Sequence, residues 1–547
     1  MDKISVYQLF LRVFGNKNTT NSFYGTLLEN GTGKFSSIDL GHLQSLKAMG
    51  LTHIWYTGVI EHATMVSLPG APGHHPQVVK GIAGSPYAIT DYYDVNAYLA
   101  DAVEQRMQEF EALVERTHAA GLKVIIDFVP NHVARQYASD VKPDGVKDFG
   151  EDDDANLGFH PNNNFYYIPG RDFVVPDGVN PPVAFEHPYH EYPAKATGND
   201  VFSAEPTIND WFETVKLNYG VDYQGGGHGY FSPVPDTWEK MLHILLFWVE
   251  KGVDGFRCDM AEMVPVSFWN YAISSVKAKY PSSIFIAEIY NPGRYREYLE
   301  QGKFDYLYDK VGLYDALRRL IEGKGNAMDI TSVWQRESGD FSNRMLRFLE
   351  NHDEHRIAAK EFAGDPSKAL AAMMLSATLH AGPVMIYGGQ EFGVKPTAAE
   401  GFQGDDGRTT IFDFWGLPEV QDFLQHKAPG THAALWHFYE RLLHFVQENE
   451  AVYKGHFHDL HYLNSYDKNS IYSYLRYTDK QMLLFVYNFD LERDREVEIN
   501  LPENLLKRTR MTFLPLFEPG VMIEGGITVR TTVSSNGFKI YEVHPGE

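Results

Sequence analysis

A single cysteine, Cys258, stands in this 547-residue chain, so no internal disulfide can form and no cysteine-based metal site is available. Basic residues are also in short supply: 48 Lys and Arg face 72 Asp and Glu, a formal charge of -24. Such a surface repels phosphate backbones and anionic lipid, which excludes nucleic acid and membranes as partners and favours a neutral one. No run of about 18 apolar residues exists to span a bilayer. The opening MDKISVYQLF lacks the basic segment and apolar stretch of a secretory signal, so a soluble, cytoplasmic protein is the expectation. The one glycine run, Gly225-Gly226-Gly227, has no Lys-Ser/Thr after it and cannot be a phosphate loop.

What is abundant is core. Apolar residues make up 44% of the chain and aromatics 14%, and most of those rings serve packing. The length suggests two or three domains. Up to about residue 454 one unit recurs: an amphipathic helix, a glycine, then a short apolar strand. Leu43, Leu46 and Met49 share a helical face ahead of Gly50, and Phe110, Leu113 and Val114 do so ahead of Gly121. Met241, Ile244, Leu245 and Trp248 precede Gly252, with Asp236 and Glu239 spaced as a capping box. Strands are expected at 5–10, 52–55, 123–128, 255–257, 284–287, 306–308, 345–349 and 384–387. Eight buried strands alternating with helices predict a closed (β/α)8 barrel over residues 1–132 and 236–454.

Two stretches break the rhythm. Residues 133–235 are rich in Asp, Asn, Pro, Gly and Tyr and carry no helical period, which predicts an irregular domain inserted after the third strand. Residues 455–547 alternate apolar and polar positions and predict an antiparallel β-sandwich.

Active-site groups of such barrels lie at the C-terminal ends of the strands. Four segments place carboxylates there: Asp127 to Asn131-His132, Gly255-Phe-Arg257-Cys-Asp259, Ala287-Glu288-Ile289, and Glu350-Asn351-His352-Asp353. Asp259, Glu288 and Asp353 together suit glycoside hydrolysis, which needs a carboxylate nucleophile and a carboxylic acid for the leaving oxygen. Arg257, two residues before Asp259, shares its side of the strand and would keep it ionised. Glu288, between apolar neighbours, would hold its proton.

Taken as a set and in this order, the four segments resemble the four short conserved regions of the α-amylase superfamily, glycoside hydrolase family 13. Val6-Tyr7-Gln8 and Gly388-Gly389-Gln390-Glu391 resemble that family's first strand and the segment after its eighth. The resemblance implies Asp259 as nucleophile, Glu288 as general acid/base and Asp353 as the third carboxylate of a retaining double displacement. It also implies Tyr87, His132, Arg257, His352 and Arg356 as substrate-binding residues, and no cofactor for the chemistry. Asn131 matches a family calcium ligand, which makes it a candidate for structural calcium. The expected substrate is an α-glucan or maltooligosaccharide, cleaved at α-glucosidic, chiefly α-1,4, bonds.

The pattern departs at one place. Where many amylases carry a Lys-His pair after the nucleophile, this chain has Glu262 and Met263. That leaves open a glucanotransferase or a trehalose-synthase-like isomerase on the same scaffold. A non-catalytic glucan binder is the more distant alternative, since all three carboxylates are kept.

Overall fold

Eight parallel strands form one sheet: Ser5–Phe10, His53–Thr57, Lys123–Phe128, Gly255–Cys258, Ile284–Ala287, Tyr306–Tyr308, Met345–Leu346 and Val384–Tyr387. The computed structural model describes residues 3–397, 400–401, 405–506 and 509–546. In spatial order the strands run from the seventh back to the first, and the eighth pairs with the first. A parallel bridge from Arg347 to Val384 joins the seventh to the eighth and closes the (β/α)8 barrel. The seventh strand is shorter than the sequence suggests.

The helices form where the 3.6-residue period places apolar side chains on one face. Leu40–Ala48 buries Leu43 and Leu46; Arg106–Ala119 buries Phe110, Leu113 and Val114; Asp236–Glu250 buries Met241, Ile244, Leu245 and Trp248. Gly50, Gly121 and Gly252 follow them at φ 108°, 76° and 93°, a region where a Cβ is costly. The expected capping box at Asp236 does not form. Pro235 holds the cap position, and Asp236 accepts from Asn164 Nδ2 at 2.8 Å while pairing with Lys240 at 2.8 Å. A tertiary partner outcompetes the local amide for the same carboxylate.

Inside the barrel, Val6, Trp55, Ile125, Ile286, Tyr308, Leu346 and Met385 pack into one buried cluster. Side chains alternate faces along a strand, so the residue two further on also points inward, one layer closer to the C-terminal mouth. After Val6, Trp55, Ile125 and Ile286 those residues are Gln8, Thr57, Asp127 and Glu288. The change from apolar to polar along these four strands is what builds the site.

Between the third barrel strand and the helix at 236 the chain has no helix and only short antiparallel ladders. His132–Ala134 pairs with Thr214–Lys216, Tyr167–Ile168 with Ala194–Lys195, and Val221–Asp222 with His228–Gly229. A small core of Val78, Phe173, Ala194, Ala204 and Phe212 supports it, with Arg135 stacked on Phe173 and paired to Glu191 at 2.7 Å.

The C-terminal part is antiparallel throughout. A six-stranded sheet faces a two-stranded one, Arg495–Asn500 with Thr528–Val533, across a core that includes Leu484, Val486, Val497, Ile499, Val529 and Tyr541. Its strands include His456–Asp459, Met511–Leu516 and Ile523–Gly525. Fully buried Arg476 ties this part to the rest by donating to the carbonyls of Leu379, Val452 and Gly455 at 2.9, 2.9 and 2.7 Å.

Candidate active site

Arg257 is the centre of the mouth. Its side chain is fully buried, and Nη1 donates to Asp259 Oδ1 at 2.7 Å and to Asp127 Oδ1 at 3.3 Å. Nη2 lies 2.8 Å from Glu288 Oε2, and Nε donates to the Tyr308 hydroxyl at 3.1 Å. Three carboxyl groups thus share one guanidinium, whose planar fork can serve several acceptors at once. Three full negative charges around one positive charge, out of water, is unfavourable, so the cluster must hold protons.

Burial raises the pKa of each carboxyl group, and Arg257 opposes the rise in all three. Asp127 is pushed up to about 6 against the pull of Arg257, Trp55 and Tyr87. Asp259 is raised as well: burial, helped by the Asp127 charge, outweighs the Arg257 charge, its hydrogen bond and the Glu288 hydrogen bond. Glu288 is raised by burial and by the Asp259 charge, against Arg257 and donation from the Met260 amide and Tyr290. Each is raised, and because the Asp259 charge itself raises Glu288, the two resist ionising together. Two carboxyl groups in different states are what acid/base and nucleophilic roles require.

The Met260 amide reaches Glu288 Oε2 at 2.8 Å because Met260 adopts φ 43°, ψ 43°, a left-handed conformation that costs a side-chain-bearing residue about 1–2 kcal/mol. Tyr290, two residues beyond Glu288 and on the same side, donates its hydroxyl to Glu288 Oε1 at 2.6 Å. Cys258 points the opposite way from Asp259 and is fully buried in the core.

Asp353 comes from the loop after the seventh strand. Asn351 Oδ1 accepts from the amides of both Asp353 and Glu354 at 2.9 Å, which fixes the turn. About a third of the Asp353 side chain is open, and Oδ2 lies 3.1 Å from His352 Nε2. Burial first, then the Glu288 charge, pushes Asp353 up to about 8. His352 also contacts Gln8 Nε2 at 2.8 Å through Nδ1 and stacks on Tyr87, ring centroids 5.2 Å apart. Tyr87 in turn donates to Asp127 at 3.3 Å. His132 packs on Trp211, centroids 5.3 Å apart. Burial drives His132 down to about 4 and His352 well below the usual histidine range, so both are neutral donors or acceptors near pH 7.

A sequence profile described as alpha amylase, catalytic domain matches residues 8–168 and 233–414, more than half of the chain. The chain belongs to the alpha-amylase family. Alpha-amylase 2 of Dictyoglomus thermophilum is 22% identical over 502 residues, covering 91% of this chain and 70% of that protein. A cyclomaltodextrinase of a Bacillus species is 23% identical over 500 residues, covering 88% and 72%. A maltogenic alpha-amylase structure from Thermotoga neapolitana has the same fold, with a TM-score of 0.64 at 21% identity over 98% of both chains. This member of the alpha-amylase family is therefore a glycosidase-type enzyme on a (β/α)8 barrel. No described helix is long and apolar enough to cross a membrane.

In this alpha-amylase-family chain, Asp259, Glu288, Arg257, Tyr87, His132, His352 and Asp353 gather at one barrel mouth. Arg356 does not aim there. Its guanidinium is buried and used by Glu350 at 3.0 Å, Thr409 at 2.8 Å and the Gly388 carbonyl at 3.0 Å, over the Tyr387 ring. The expected sugar contact gives way to fixing the segment that carries Asp353. Nor does Asn131 fit a calcium ion: Oδ1 accepts from the Lys216 ammonium at 2.6 Å, and Nδ2 donates to the Gly198 carbonyl at 2.8 Å. Elsewhere, Asp39, His42 and His426 bring three donor atoms within 4.8 Å of one another. His42 Nδ1 already accepts from the Asp39 amide there, so the group serves as a helix cap.

Tyr290, Gln8, Trp211 and Lys216 complete the site without having been assigned from sequence. Spacing could have found Tyr290, since i and i+2 share a face. The others join the site through tertiary packing. Tyr290→Phe removes a donor from the Glu288 carboxylate, so the carboxyl keeps its proton to higher pH. The alkaline limb of the kcat/KM profile should move up by about one pH unit. An unchanged limb in a pH–rate series would contradict the assignment of that limb to Glu288.

Proposed function

We propose that this enzyme cleaves α-glucosidic bonds, chiefly α-1,4, in maltooligosaccharides or starch-type glucans with retention of configuration. The observation that carries it is the pair Asp259 and Glu288 held side by side on one Arg257. Asp259 attacks the anomeric carbon; as that C–O bond forms, the bond to the leaving oxygen breaks and Glu288 delivers its proton there. Glu288, now a carboxylate, takes a proton from water as the water oxygen bonds to the anomeric carbon and the bond from that carbon to Asp259 breaks, which restores both side chains. Asp353, pushed upward in pKa by burial and the Glu288 charge, is placed to exchange hydrogen bonds with sugar hydroxyls. His132, His352 and Tyr87 bound the same sugar, and Arg356 holds the Asp353 segment in place.

In this reading residues 1–132 and 236–454 are the catalytic barrel, 133–235 the inserted domain and 455–547 the C-terminal β-sandwich. A neutral glucan suits a chain of charge -24. The cyclomaltodextrinase and alpha-amylase relatives support the substrate class.

A second reading, transfer to another sugar, is favoured by Glu262. Its Oε1 accepts from the Tyr290 amide at 3.1 Å, and no lysine or histidine stands at that place or at Met263. Product analysis from maltotriose separates the two. Glucose and maltose support hydrolysis; longer oligomers or trehalose support transfer; no product from maltotriose, starch or pullulan contradicts both.

A further inference from the structure

Lys216 ends the short strand Thr214–Lys216 and lies opposite His132 in an antiparallel pair. That register brings its side chain alongside Asn131, the residue before His132. Nζ lies 2.6 Å from Asn131 Oδ1, 2.7 Å from Asp200 Oδ1 and 3.4 Å from the Met263 carbonyl oxygen. The side chain is 2% exposed, with the Tyr223 ring centroid 5.4 Å from the ammonium.

The three oxygens come from three parts of the chain. Asn131 follows the third barrel strand, Asp200 belongs to the inserted segment, and Met263 closes the turn after Asp259. A carboxylate, an amide oxygen and a backbone carbonyl converging from separate segments are the donor chemistry of a hard divalent cation. Here a tethered cation already meets them, the carboxylate and amide oxygens at the short separations of charge-assisted hydrogen bonds and the carbonyl at 3.4 Å. A metal ion at the same point would displace the ammonium and bury two like charges together.

We infer that the Lys216 ammonium takes the place of a structural calcium ion, cross-linking barrel, inserted segment and the turn after Asp259 without any divalent metal. The turn it reaches is pinned from its other side as well. Arg294 Nη1 donates to the Glu262 carbonyl at 3.0 Å and the Tyr298 hydroxyl to the Val264 carbonyl at 2.9 Å. The consequence is a junction whose stability does not vary with free calcium.

Metal analysis and thermal unfolding of the full-length protein test this without reference to sugar chemistry, so its failure leaves the proposed activity untouched. After dialysis against EDTA, the wild type should hold less than about 0.1 calcium per chain, and its midpoint should move by no more than about 1 °C when calcium is added back. Lys216→Met should lower the midpoint by at least about 3 °C. About one calcium per chain before dialysis, with a clear fall in the midpoint on its removal, overturns the inference whether or not the variant folds. A Lys216→Met midpoint equal to that of the wild type overturns it too.

Discussion

Asp259→Asn lowers kcat/KM on maltooligosaccharides by at least about 10⁴-fold, ~5.5 kcal/mol of transition-state stabilisation, with an unfolding midpoint close to that of the wild type. The amide keeps the carboxylate's shape and can still accept from Arg257, whose other partners, Asp127 and Glu288, remain. What it cannot do is attack an anomeric carbon and leave again as a stable anion. The same substitution removes a negative charge that raises the Glu288 pKa, so residual activity should lose its alkaline limb at lower pH than the wild type. Steady-state kinetics beside a thermal melt is the measurement. Activity within tenfold of wild type, from a folded variant, would remove Asp259 from the nucleophile's role.

Glu288→Gln should act selectively. With maltooligosaccharides the leaving oxygen needs a proton, and the loss should be about 10³-fold, the scale of general acid catalysis. With α-glucosyl fluoride no proton is needed at departure, so formation of the glycosyl-enzyme should stay within about tenfold of wild type. Breakdown of that intermediate still needs a base to activate water, and it should therefore accumulate. An equal loss on both substrates would mean that Glu288 serves binding or packing instead of proton transfer.

How much of this was legible in the chain depends on how far each signal reaches. The barrel was, because it rests on local patterns: helix faces such as Phe110, Leu113 and Val114, and strands whose interior residue is followed two positions on by a polar one. Asp127, Asp259 and Glu288 were visible for the same reason. Arg257 was expected beside Asp259, but its equal hold on Glu288 depends on the parallel register of two strands. The family resemblance puts Arg356 on the sugar, whereas Glu350, six residues earlier, turns back to claim its guanidinium. The resemblance makes Asn131 a metal ligand, but Lys216, 85 residues away in sequence, supplies the cation instead. Asp236 has the spacing of a capping residue, yet Asn164 and Lys240 claim its carboxylate. In each case a polar side chain is claimed by a partner, near or far along the chain, that the local pattern does not reveal.

The covalent intermediate is the centre of the mechanism, and intact-mass spectrometry of Glu288→Gln mixed with α-glucosyl fluoride looks for it directly. Double displacement predicts one added glucosyl unit per chain, located after proteolysis on the peptide that carries Asp259. A folded variant that consumes the fluoride without any adduct, or an adduct on Asp353 or another residue, would contradict it.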